Sequence, residues 1–486
     1  MGRGDIKMTD LLLVQPPNPP NTQILRDHMG MFGILKKGIS LMKNDVLQPL
    51  NLAYSASLLE KNGFDVNIID ASAMGYDYEK TLKEIKKENP RLIILNISGV
   101  SNDLDLDFST RIKEFVESKV AVTGPHLTLM PETALKRNNI DFVILGEIEY
   151  TVLELSKNLD GFKKINGIAY KKEDKIIRTP NRPFITNLDE LPFPAFHLLP
   201  MEKYCYSILE KRPFTTILTG RGCPHQCIYC PYPLGYGNFW RGRSVENVLE
   251  EMRLLKEEFK IKSLLFRDQV PTFDMKRAEK LYDSMIKEKF DFEWRCETRI
   301  DKVSKILMEK MKKSGCVGVH FGIESGDPVI LKKIGKDCNI NLNLIKKHFK
   351  EAKEIGLSTV AYFLIGLPGE TKESIEKTFK LAEELKADDT WFNVPAPYPG
   401  TKLHEIAKKE NWILTEDWSR YSGREVVMRT DKLSEKEIKE MLEKAKLKYS
   451  NESQNLFKLF FNFRGMKVAI RNPRPIMGYL IKRIQR

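Results

Sequence analysis

The sequence contains no uninterrupted apolar run close to the roughly 20 residues that a membrane-spanning helix requires. Its first residues also lack the apolar centre of a signal peptide. Cysteine is scarce, with 7 in 486 residues, and an odd number does not describe a complete disulfide framework. These absences predict a cytoplasmic protein whose thiols are reduced.

Acidic residues are fewer than basic ones: the sequence has 66 Asp and Glu and 79 Lys and Arg, which gives a net charge of +13. No acidic residue follows Glu452. A basic surplus suits nucleic acid, an anionic membrane surface or acidic substrates. A lysine-rich composition, with lysine and glutamate alternating through most helices, is an equally simple explanation. The length predicts two or three globular domains.

The first 160 residues alternate short apolar runs with helical segments, a pattern that predicts a doubly wound parallel sheet. No G-x-G-x-x-G follows the first run, which disfavours a dinucleotide. Ligands of such sheets bind beyond the carboxyl ends of the strands. The predicted strands are Leu11–Val14, Val66–Ile69, Leu92–Leu95, Val120–Val122 and Phe142–Leu145.

Residues 21–48 interrupt this pattern after the first strand. The segment carries Met29, Met31, Phe32 and Met42. Long connections of this kind are usually functional or disordered. A flap over a bound ligand and a packing helix are both consistent with the composition.

Three cysteines lie within eight residues, with the spacing C-x3-C-x2-C, on a loop that follows the apolar run 214–218. Thiolates hold iron–sulfur clusters, usually four for a [4Fe–4S] cluster, so three would leave one iron open. The cysteines are Cys223, Cys227 and Cys230. Together with His225 they could instead bind zinc, although the four ligands would all be crowded into one loop.

From Phe214 to Val394 strand and helix patterns alternate six times, which predicts a partial (β/α)6 barrel of the TIM type. The chemistry of such barrels lies at the carboxyl rim of the strands. The predicted strands are Thr215–Leu218, Ser263–Phe266, Glu293–Cys296, Val317–Phe321, Thr359–Ile365 and Thr390–Val394. The residues at or after their ends include Asp268, Arg299, Glu324, Ser325, Gly366, Pro368 and Gly369.

Taken alone, each of these rim residues is typical of a turn or a helix cap. In this order behind the cysteine loop, however, they resemble the core of the radical S-adenosylmethionine (SAM) superfamily. The resemblance implies a [4Fe–4S] cluster on the three cysteines, with SAM bound to the open iron. Glu324 and Ser325 match the family position for the ammonium and ribose of SAM, and Arg299 would suit its carboxylate. Asp268 and the backbone at Gly366, Pro368 and Gly369 complete the predicted SAM site.

The first domain resembles the cobalamin-binding domain that precedes many radical SAM cores. The resemblance rests on the Pro-rich loop after the first strand, the helix start at Pro49–Tyr54, and the segments 124–126 and 141–149. The D-x-H-x-x-G signature of histidine-ligated corrinoid proteins is absent, so bound cobalt would lack that ligand. The implied cobalamin-binding residues are Gln15, Ser98, Gly124, His126, Gly146 and Glu147.

We therefore predict four segments: a cobalamin-binding Rossmann-like domain (1–160), a hairpin and Pro-rich linker (161–200), a radical SAM barrel (201–400) and a helical, basic C-terminal region (401–486). The last segment ends in four phenylalanines, from Phe457 to Phe463, followed by basic residues through Arg486. This composition suits peripheral contact with an anionic membrane. Packing across the barrel is an alternative, and nucleic acid is the least favoured one.

The resemblance implies a cobalamin-dependent radical SAM enzyme. Its cluster would convert SAM to a 5′-deoxyadenosyl radical that abstracts hydrogen from an unactivated carbon, followed by methyl transfer from methylcobalamin. The alternative is an enzyme that forms a carbon–carbon bond or closes a ring by radical chemistry, with or without cobalamin, with a membrane lipid as one candidate substrate. A non-catalytic binder that has kept the barrel would not need the cysteine loop. The partners would be a small-molecule or lipid substrate and an external electron donor of the ferredoxin or flavodoxin type.

Overall fold

A computed structural model describes residues 9–20, 22–26, 34–37, 45–137, 139–336 and 340–449. The predicted phenylalanine-rich basic tail lies outside these residues, as do Met29, Met31, Phe32 and Met42 of the predicted flap. Within that segment Thr22–Leu25 (β2) and Ile34–Lys37 (β3) form a pair of antiparallel strands. No helix of the described residues is both long and apolar enough to cross a membrane.

The N-terminal region is built on a seven-stranded sheet with the order β4-β1-β5-β6-β7-β8-β9. The first five of these are parallel, whereas β8 and β9 pair antiparallel. The strands of this region are β1 (Leu11–Gln15), β2 (Thr22–Leu25), β3 (Ile34–Lys37), β4 (Val66–Asp70), β5 (Leu92–Asn96), β6 (Lys119–Thr123), β7 (Phe142–Ile144), β8 (Ile168–Lys172) and β9 (Lys175–Arg178). The helices are α1 (Leu50–Lys61), α2 (Ala71–Met74), α3 (Tyr78–Glu88), α4 (Asn102–Ile112), α5 (Pro125–Leu129), α6 (Glu132–Leu135) and α7 (Glu149–Lys157).

Alternate residues of the central strands enter two different cores, because successive side chains of a strand point to opposite faces. Leu11 and Leu13 join a large core that continues through α1 and α7 into the barrel. Leu12 and Val14 join a separate core on the other face of the sheet. Both faces are therefore covered, as parallel sheets require, and the doubly wound prediction is confirmed.

The second region is a six-stranded parallel sheet with the order β10-β13-β14-β15-β16-β17. Its strands are β10 (Phe214–Ile217), β13 (Ser263–Phe266), β14 (Glu293–Arg299), β15 (Cys316–Glu324), β16 (Ser358–Leu364) and β17 (Asp389–Asn393), and a small antiparallel ribbon pairs β11 (Gly220–Arg221) with β12 (Arg241–Gly242). The helices are α8 (Tyr232–Tyr236), α9 (Val245–Glu257), α10 (Met275–Lys287), α11 (Lys305–Lys313), α12 (Pro328–Lys333), α13 (Leu342–Ile355) and α14 (Lys372–Leu385).

The sheet order leaves β10 and β17 at opposite edges, so the barrel is partial, as predicted. The C-terminal region contributes α15 (Lys402–Lys409) and α16 (Glu435–Tyr449), and α16 packs against β17 and α14. Ile438, Leu442 and Ala445 bury its apolar face in the main core. The C-terminal region is helical, which confirms that part of the predicted fold class.

Candidate functional site

The three cysteines lie on the loop that follows β10, between the two strands of the β11–β12 ribbon. The loop is anchored through its backbone: the amide of Cys223 donates to the carbonyl of Gly237 at 3.2 Å, and the amide of Ile228 donates to that of Ile334 at 3.1 Å. Cys223 is buried and the other two cysteines are half-buried. Anchors on both sides therefore hold the cysteines in one compact loop.

The thiols of this loop are costly to ionise without a metal. Burial, followed by the nearby Cys227 thiol, raises the pKa of Cys230, and burial also raises the pKa of Cys223. A bound metal offsets that cost because the thiolate is the ligand. Within the described ranges, no three His, Cys, Asp or Glu side chains converge closely enough for one metal ion. The loop thus offers three thiols, closely spaced in the sequence, as ligands for the predicted cluster.

Arg299 supplies positive charge beside this loop. Its Nη1 donates to Sγ of Cys227 at 3.8 Å, and the rest of its guanidinium pairs with Asp301 at 2.9 and 3.1 Å. A cation next to a thiolate ligand stabilises the charged form. Arg299 therefore adjoins the predicted cluster site, already paired with a carboxylate that the sequence analysis did not select.

Glu324 lies at the irregular end of β15. The register with β16 shifts between Gly322 and Glu324, and Glu324 has a φ of 69°. A non-glycine residue in the left-handed region is uncommon and clusters at functional sites. Its carboxylate accepts a hydrogen bond from Lys336 Nζ at 2.5 Å and is bonded to the hydroxyl of Tyr229 in the cysteine loop. Glu324 and Lys336 are therefore brought to the cysteines.

Two other residues of the predicted SAM site, Asp268 and Ser325, form hydrogen bonds within the protein. Asp268 is buried and accepts hydrogen bonds from the amide and hydroxyl of Thr219 at 3.1 and 3.0 Å, which ties the start of the cysteine loop to β13. The Ser325 hydroxyl is fully buried, 3.3 Å from that of Thr378. Both side chains hold loops in place.

The Gly366–Gly369 loop is similarly filled by the protein. A Cβ on Gly366 would meet Ile438 of α16 at 3.1 Å, and one on Gly369 would meet Lys333 Nζ at 2.2 Å. The amide of Gly366 donates to Glu370 at 2.7 Å. Pro368 lies between these two glycines and is buried.

The carboxyl edge of the first sheet holds a buried ladder of amide side chains. Asn51 Nδ2 donates to Asn96 Oδ1 at 3.0 Å, and Asn96 Nδ2 donates to Gln15 Oε1 at 2.9 Å. These residues come from α1, β5 and β1, and β1 and β5 flank the point at which the strand order reverses, where open α/β sheets bind ligands. Gln15 thus lies at the expected crevice, together with two residues that were not selected.

Five buried polar atoms along this edge lack a hydrogen-bond partner in the described structure. Buried polar atoms are normally paired, so each such exception needs an explanation. The corrin ring carries primary amides whose N–H groups can donate to oxygen acceptors. The atoms are Asn51 Oδ1, Ser98 Oγ, Asn102 Oδ1, His126 Nε2 and Glu149 Oε2. These unpaired atoms, four of them oxygens that can accept a hydrogen bond, therefore fit cobalamin.

Two cavities flank α5 at this edge. One, of about 380 Å³, lies between the strand ends and the end of α8, which follows the third cysteine. Its lining includes Asn51, Gly124, Gly146, Glu147, Glu149 and Tyr236. The other, of about 320 Å³, is mostly aromatic and is closed by the C-terminal region. Its lining includes His126, Leu129, Tyr398, Trp418 and Tyr421. The crevice of the first sheet thus directly adjoins the cysteine loop.

Gly124 and His126 serve this edge in different ways. A Cβ on Gly124 would lie 2.3 Å from the carbonyl oxygen of Ile97, so only glycine permits this approach between the ends of β6 and β5. The His126 ring lies 4.5 Å from that of Trp418, and burial lowers its pKa to about 4. His126 is consequently neutral at pH 7, with one unpaired ring nitrogen.

Glu147, predicted from the sequence to contact cobalamin, lines the crevice and is already paired within the protein. Its two carboxylate oxygens accept from Arg221 and Arg241 at 2.8 to 3.0 Å. Gly146 has a φ of 71° and open space beside its Cα. Arg221 and Arg241 were missed because their partners lie in a distant segment of the chain.

These features define an α/β protein in which a cobalamin-type crevice adjoins a radical SAM-type cysteine loop. Residues 217–382 match the model of the radical SAM superfamily, and residues 44–156 match that of the B12 binding domain. The chain belongs to the radical SAM superfamily and carries a B12 binding domain. The predicted enzyme class and its cofactors, a [4Fe–4S] cluster, SAM and cobalamin, are confirmed at the level of these two domains.

Relatives and solved structures agree with this assignment. An uncharacterized methyltransferase of Pyrococcus horikoshii is 36% identical over 87% of this chain and 92% of its own length. Cytidylyl-2-hydroxyethylphosphonate methyltransferase of Streptomyces wedmorensis is 27% identical over 79% of this chain and 83% of its own. The fold is similar to that of the cobalamin-dependent radical enzyme OxsB, with a TM-score of 0.70 and 16% identity over 98% of this chain and 72% of OxsB.

Proposed function

We propose that this protein methylates a carbon atom of its substrate by radical chemistry. The observation that carries the proposal is the closeness of the two sites: the crevice, lined by Asn51 and Glu149 with one unpaired oxygen each, shares its wall with α8, which begins two residues after Cys230. A carbon radical and a methyl donor must be held close together for transfer between them. The methyltransferase relatives support this outcome over ring closure.

When bound, the cluster and SAM supply a radical that removes a hydrogen atom, and cobalamin supplies the methyl group. In this proposal Cys223, Cys227 and Cys230 hold three of the four irons. Asp268 holds the start of their loop through Thr219, and Arg299 lies beside Cys227. The protein would thus keep the cluster in a largely buried setting with one guanidinium beside a ligand.

The proposed SAM site combines Glu324, Lys336 and Arg299. A carboxylate suits the ammonium of SAM, while lysine and arginine suit its carboxylate. Lys336 would therefore leave Glu324 for the carboxylate of SAM when the ammonium arrives. Ser325, Gly366, Pro368 and Gly369 act in this proposal by shaping the loops around that site.

The proposed domain division is the predicted one, at residues 1–160, 161–200, 201–400 and 401–486. The hairpin of the second segment extends the first sheet through β8 and β9. Ile185, Leu188, Leu191 and Phe196 of the same segment enter the core shared with the barrel. The linker would therefore fix the two domains against each other.

The function is tested by anaerobic reconstitution followed by mass spectrometry of cell extracts. The purified protein should hold about four irons per chain and a corrinoid in a base-off state. Extracts supplied with the enzyme, SAM and a reductant should gain a product heavier by one CH2 unit. Extracts supplied with a variant lacking the three loop cysteines serve as the control. A new product of unchanged carbon count would favour ring closure.

We also propose an external electron donor of the ferredoxin or flavodoxin type. Outside the C-x3-C-x2-C loop, the sequence has no second cysteine group with cluster spacing, so no internal relay is evident in it. Reduced flavodoxin should therefore support SAM cleavage in place of dithionite. If neither reduced flavodoxin nor reduced ferredoxin supports SAM cleavage while dithionite does, this class of donor is contradicted.

The tail after Glu452 is proposed to contact an anionic membrane. Each basic residue near such a surface contributes about 1 kcal/mol, an attraction that salt weakens. The intact protein should cosediment with anionic liposomes more than with neutral ones, and a chain ending at Glu452 should lose this difference. Equal sedimentation of both proteins would refute the proposal, and loss of iron on shortening would indicate that the tail packs on the barrel.

A further inference from the structure

Four charged side chains meet between the first sheet and the cysteine loop. Arg221 lies two residues before Cys223, and Arg241 pairs with it across the β11–β12 ribbon. Arg221 donates to Glu147 at 3.0 Å and to Glu149 at 2.7 Å, whereas Arg241 donates to Glu147 at 2.8 Å. The two glutamates follow β7, so the ion pairs join the two domains.

The network is fully withdrawn from water. Its four side chains are between 1% and 4% exposed, and two positive charges balance two negative ones. Burial of ion pairs adds little net stability compared with apolar packing, yet breaking one of them is costly. Such a network is therefore better suited to fixing a geometry than to stabilising the fold.

Aromatic rings hold the guanidinium groups in place. The Arg221 guanidinium lies 5.1 Å from the ring of Tyr54 and 5.0 Å from that of Tyr236. Arg241 lies 5.1 Å from both Phe184 and Phe239. Arg241 also donates to the carbonyl of Ile185 at 2.6 Å. Each arginine is thus fixed from two sides, by carboxylates and by rings.

The network reaches both sites. On one side, Glu149 lines the crevice and keeps Oε2 unpaired, and Tyr236 lines the same crevice. On the other side, Arg221 is followed by Gly222 at the start of the cysteine loop. Gly222 packs tightly against the backbone of Phe239, since a Cβ at this position would lie 2.0 Å from the carbonyl oxygen of Phe239. A shift of Glu149 would therefore displace the start of the cysteine loop.

We infer that Arg221, Arg241, Glu147 and Glu149 are positioning residues that set the distance between the corrinoid crevice and the cluster loop. The inference rests on the proposed use of both cofactors by one enzyme. In this role the two arginines and Glu147 act through the loop and the crevice wall, while Glu149 also offers its unpaired oxygen to the crevice. Glu147, selected from the sequence as a cobalamin ligand, takes this role instead.

The first test uses the anaerobically purified chain and hydrogen exchange, which needs no added cofactor or substrate. Each variant should speed amide exchange in the segment on the other side of the interface, by roughly ten-fold or more. For Glu147→Gln the peptide is 219–223, and for Arg221→Met it is 145–149. Arg221→Lys should restore part of the protection. Glu251→Gln is the matched control: Glu251 forms an equally buried ion pair with Arg243, another residue of the barrel segment, and makes no bond to Glu147 or Glu149. Arg243 itself reaches the hydroxyl of Tyr54 at 3.5 Å. Equal acceleration at 145–149 by Glu251→Gln would overturn the inference.

The second test measures the relation between the two sites in protein loaded with cob(II)alamin and the reduced cluster. Electron paramagnetic resonance reports the magnetic interaction between these two spins. Arg221→Met should weaken or broaden that interaction while iron content, cobalamin content and cluster-dependent SAM cleavage stay near wild-type values. An unchanged interaction in a folded, loaded variant would overturn the inference.

The two tests separate this inference from the proposed function. If the wild-type chain binds no corrinoid, the methyl-transfer proposal fails, and hydrogen exchange still decides whether the network couples the two segments. The other outcome is that corrinoid binds while Arg221→Met and Glu251→Gln lose stability, SAM cleavage and spin interaction in the same proportion. In that case the network is only structural, and the positioning role is refuted.

Discussion

The carboxyl edge of the first sheet and the carboxyl rim of the barrel treat their polar side chains differently. At the barrel rim Asp268 is bonded to Thr219, Ser325 to Thr378 and Arg299 to Asp301. At the sheet edge, by contrast, Ser98, His126 and Glu149 each keep one buried polar atom unpaired. Since unpaired buried polar atoms are costly, these three atoms favour a hydrogen-bonded ligand at the edge, whereas the three rim pairs hold loops in place. The rim also keeps one oxygen of Glu370 unpaired.

The difference follows from how each ligand is held. A cluster is bound by covalent iron–thiolate bonds, so the surrounding polar groups need only stabilise the loop. A corrinoid without a protein histidine ligand depends on many weak contacts along the crevice. The comparison therefore predicts large effects where bonds to the cluster are removed and graded effects elsewhere.

The largest effect should follow replacement of Cys223, Cys227 and Cys230 by alanine. This triple variant should lose the brown chromophore, its iron and all SAM cleavage, because no other ligand set for the cluster is evident in the described residues. Iron analysis and detection of 5′-deoxyadenosine check the result. Full retention of iron by the triple variant would show that the cluster lies elsewhere.

Glu370 should make stability depend on pH at the barrel rim. Burial, only partly offset by the amides of Gly366 and Leu367, raises its pKa to about 7. The folded protein favours the protonated form of Glu370, and this preference contributes to the free energy of unfolding. The contribution is fully present below the ordinary pKa of a glutamate and is lost as pH rises through the folded-state pKa of about 7. Between pH 5 and pH 8 the loss should be about 2 to 3 kcal/mol.

Thermal unfolding from pH 5 to pH 8 measures this effect. Glu370→Gln cannot ionise, so its unfolding temperature should fall less than that of the wild type over the same range. The exposed Glu373 three residues later provides a matched control as Glu373→Gln. Parallel curves for wild type and Glu370→Gln would contradict the expected contribution.

Asp268→Asn tests the paired side of the comparison. The Asp268 carboxylate accepts one hydrogen bond from the backbone amide of Thr219 and one from its hydroxyl. In asparagine one of the two oxygens becomes an NH2 group, which would face a donor, so one of these bonds is lost. A loss of about 2 kcal/mol in stability is expected at pH 7. Calorimetry should show a lower unfolding temperature, with cobalamin affinity unchanged. A weaker cobalamin affinity at unchanged stability would reverse the assignment of roles.

Ser98→Ala tests the unpaired side and should give the smallest effect. No internal hydrogen bond is lost, so stability should stay constant while the affinity for hydroxocobalamin falls roughly five-fold, about 1 kcal/mol. Ser55→Ala is the control, because the buried Ser55 hydroxyl donates to the carbonyl of Asn51 at 2.8 Å. Ser55→Ala should lower stability more than affinity. A lowered stability and unchanged affinity for Ser98→Ala would show that the edge is not a ligand site.

Strand prediction succeeded where apolar runs and strands coincide and stopped short where they do not. The third barrel strand was expected to end at Cys296, yet β14 continues to Arg299. Polar residues such as Glu297 face the barrel interior on alternate positions, so the apolar run ends before the hydrogen-bonded strand does. For the same reason β15 reaches Glu324 rather than ending at Phe321.

By itself, the sequence determined the two α/β regions, the cysteine loop and the carboxyl ends at which ligands bind, because periodicity and short spacings are local properties of the chain. Only the tertiary structure decided which polar residues are available to a ligand. Glu147 is taken by Arg221 and Arg241, whereas Glu149 keeps an oxygen unpaired. Partners 72 and 94 positions apart in the chain are brought together by packing, and no local sequence pattern indicates that they meet.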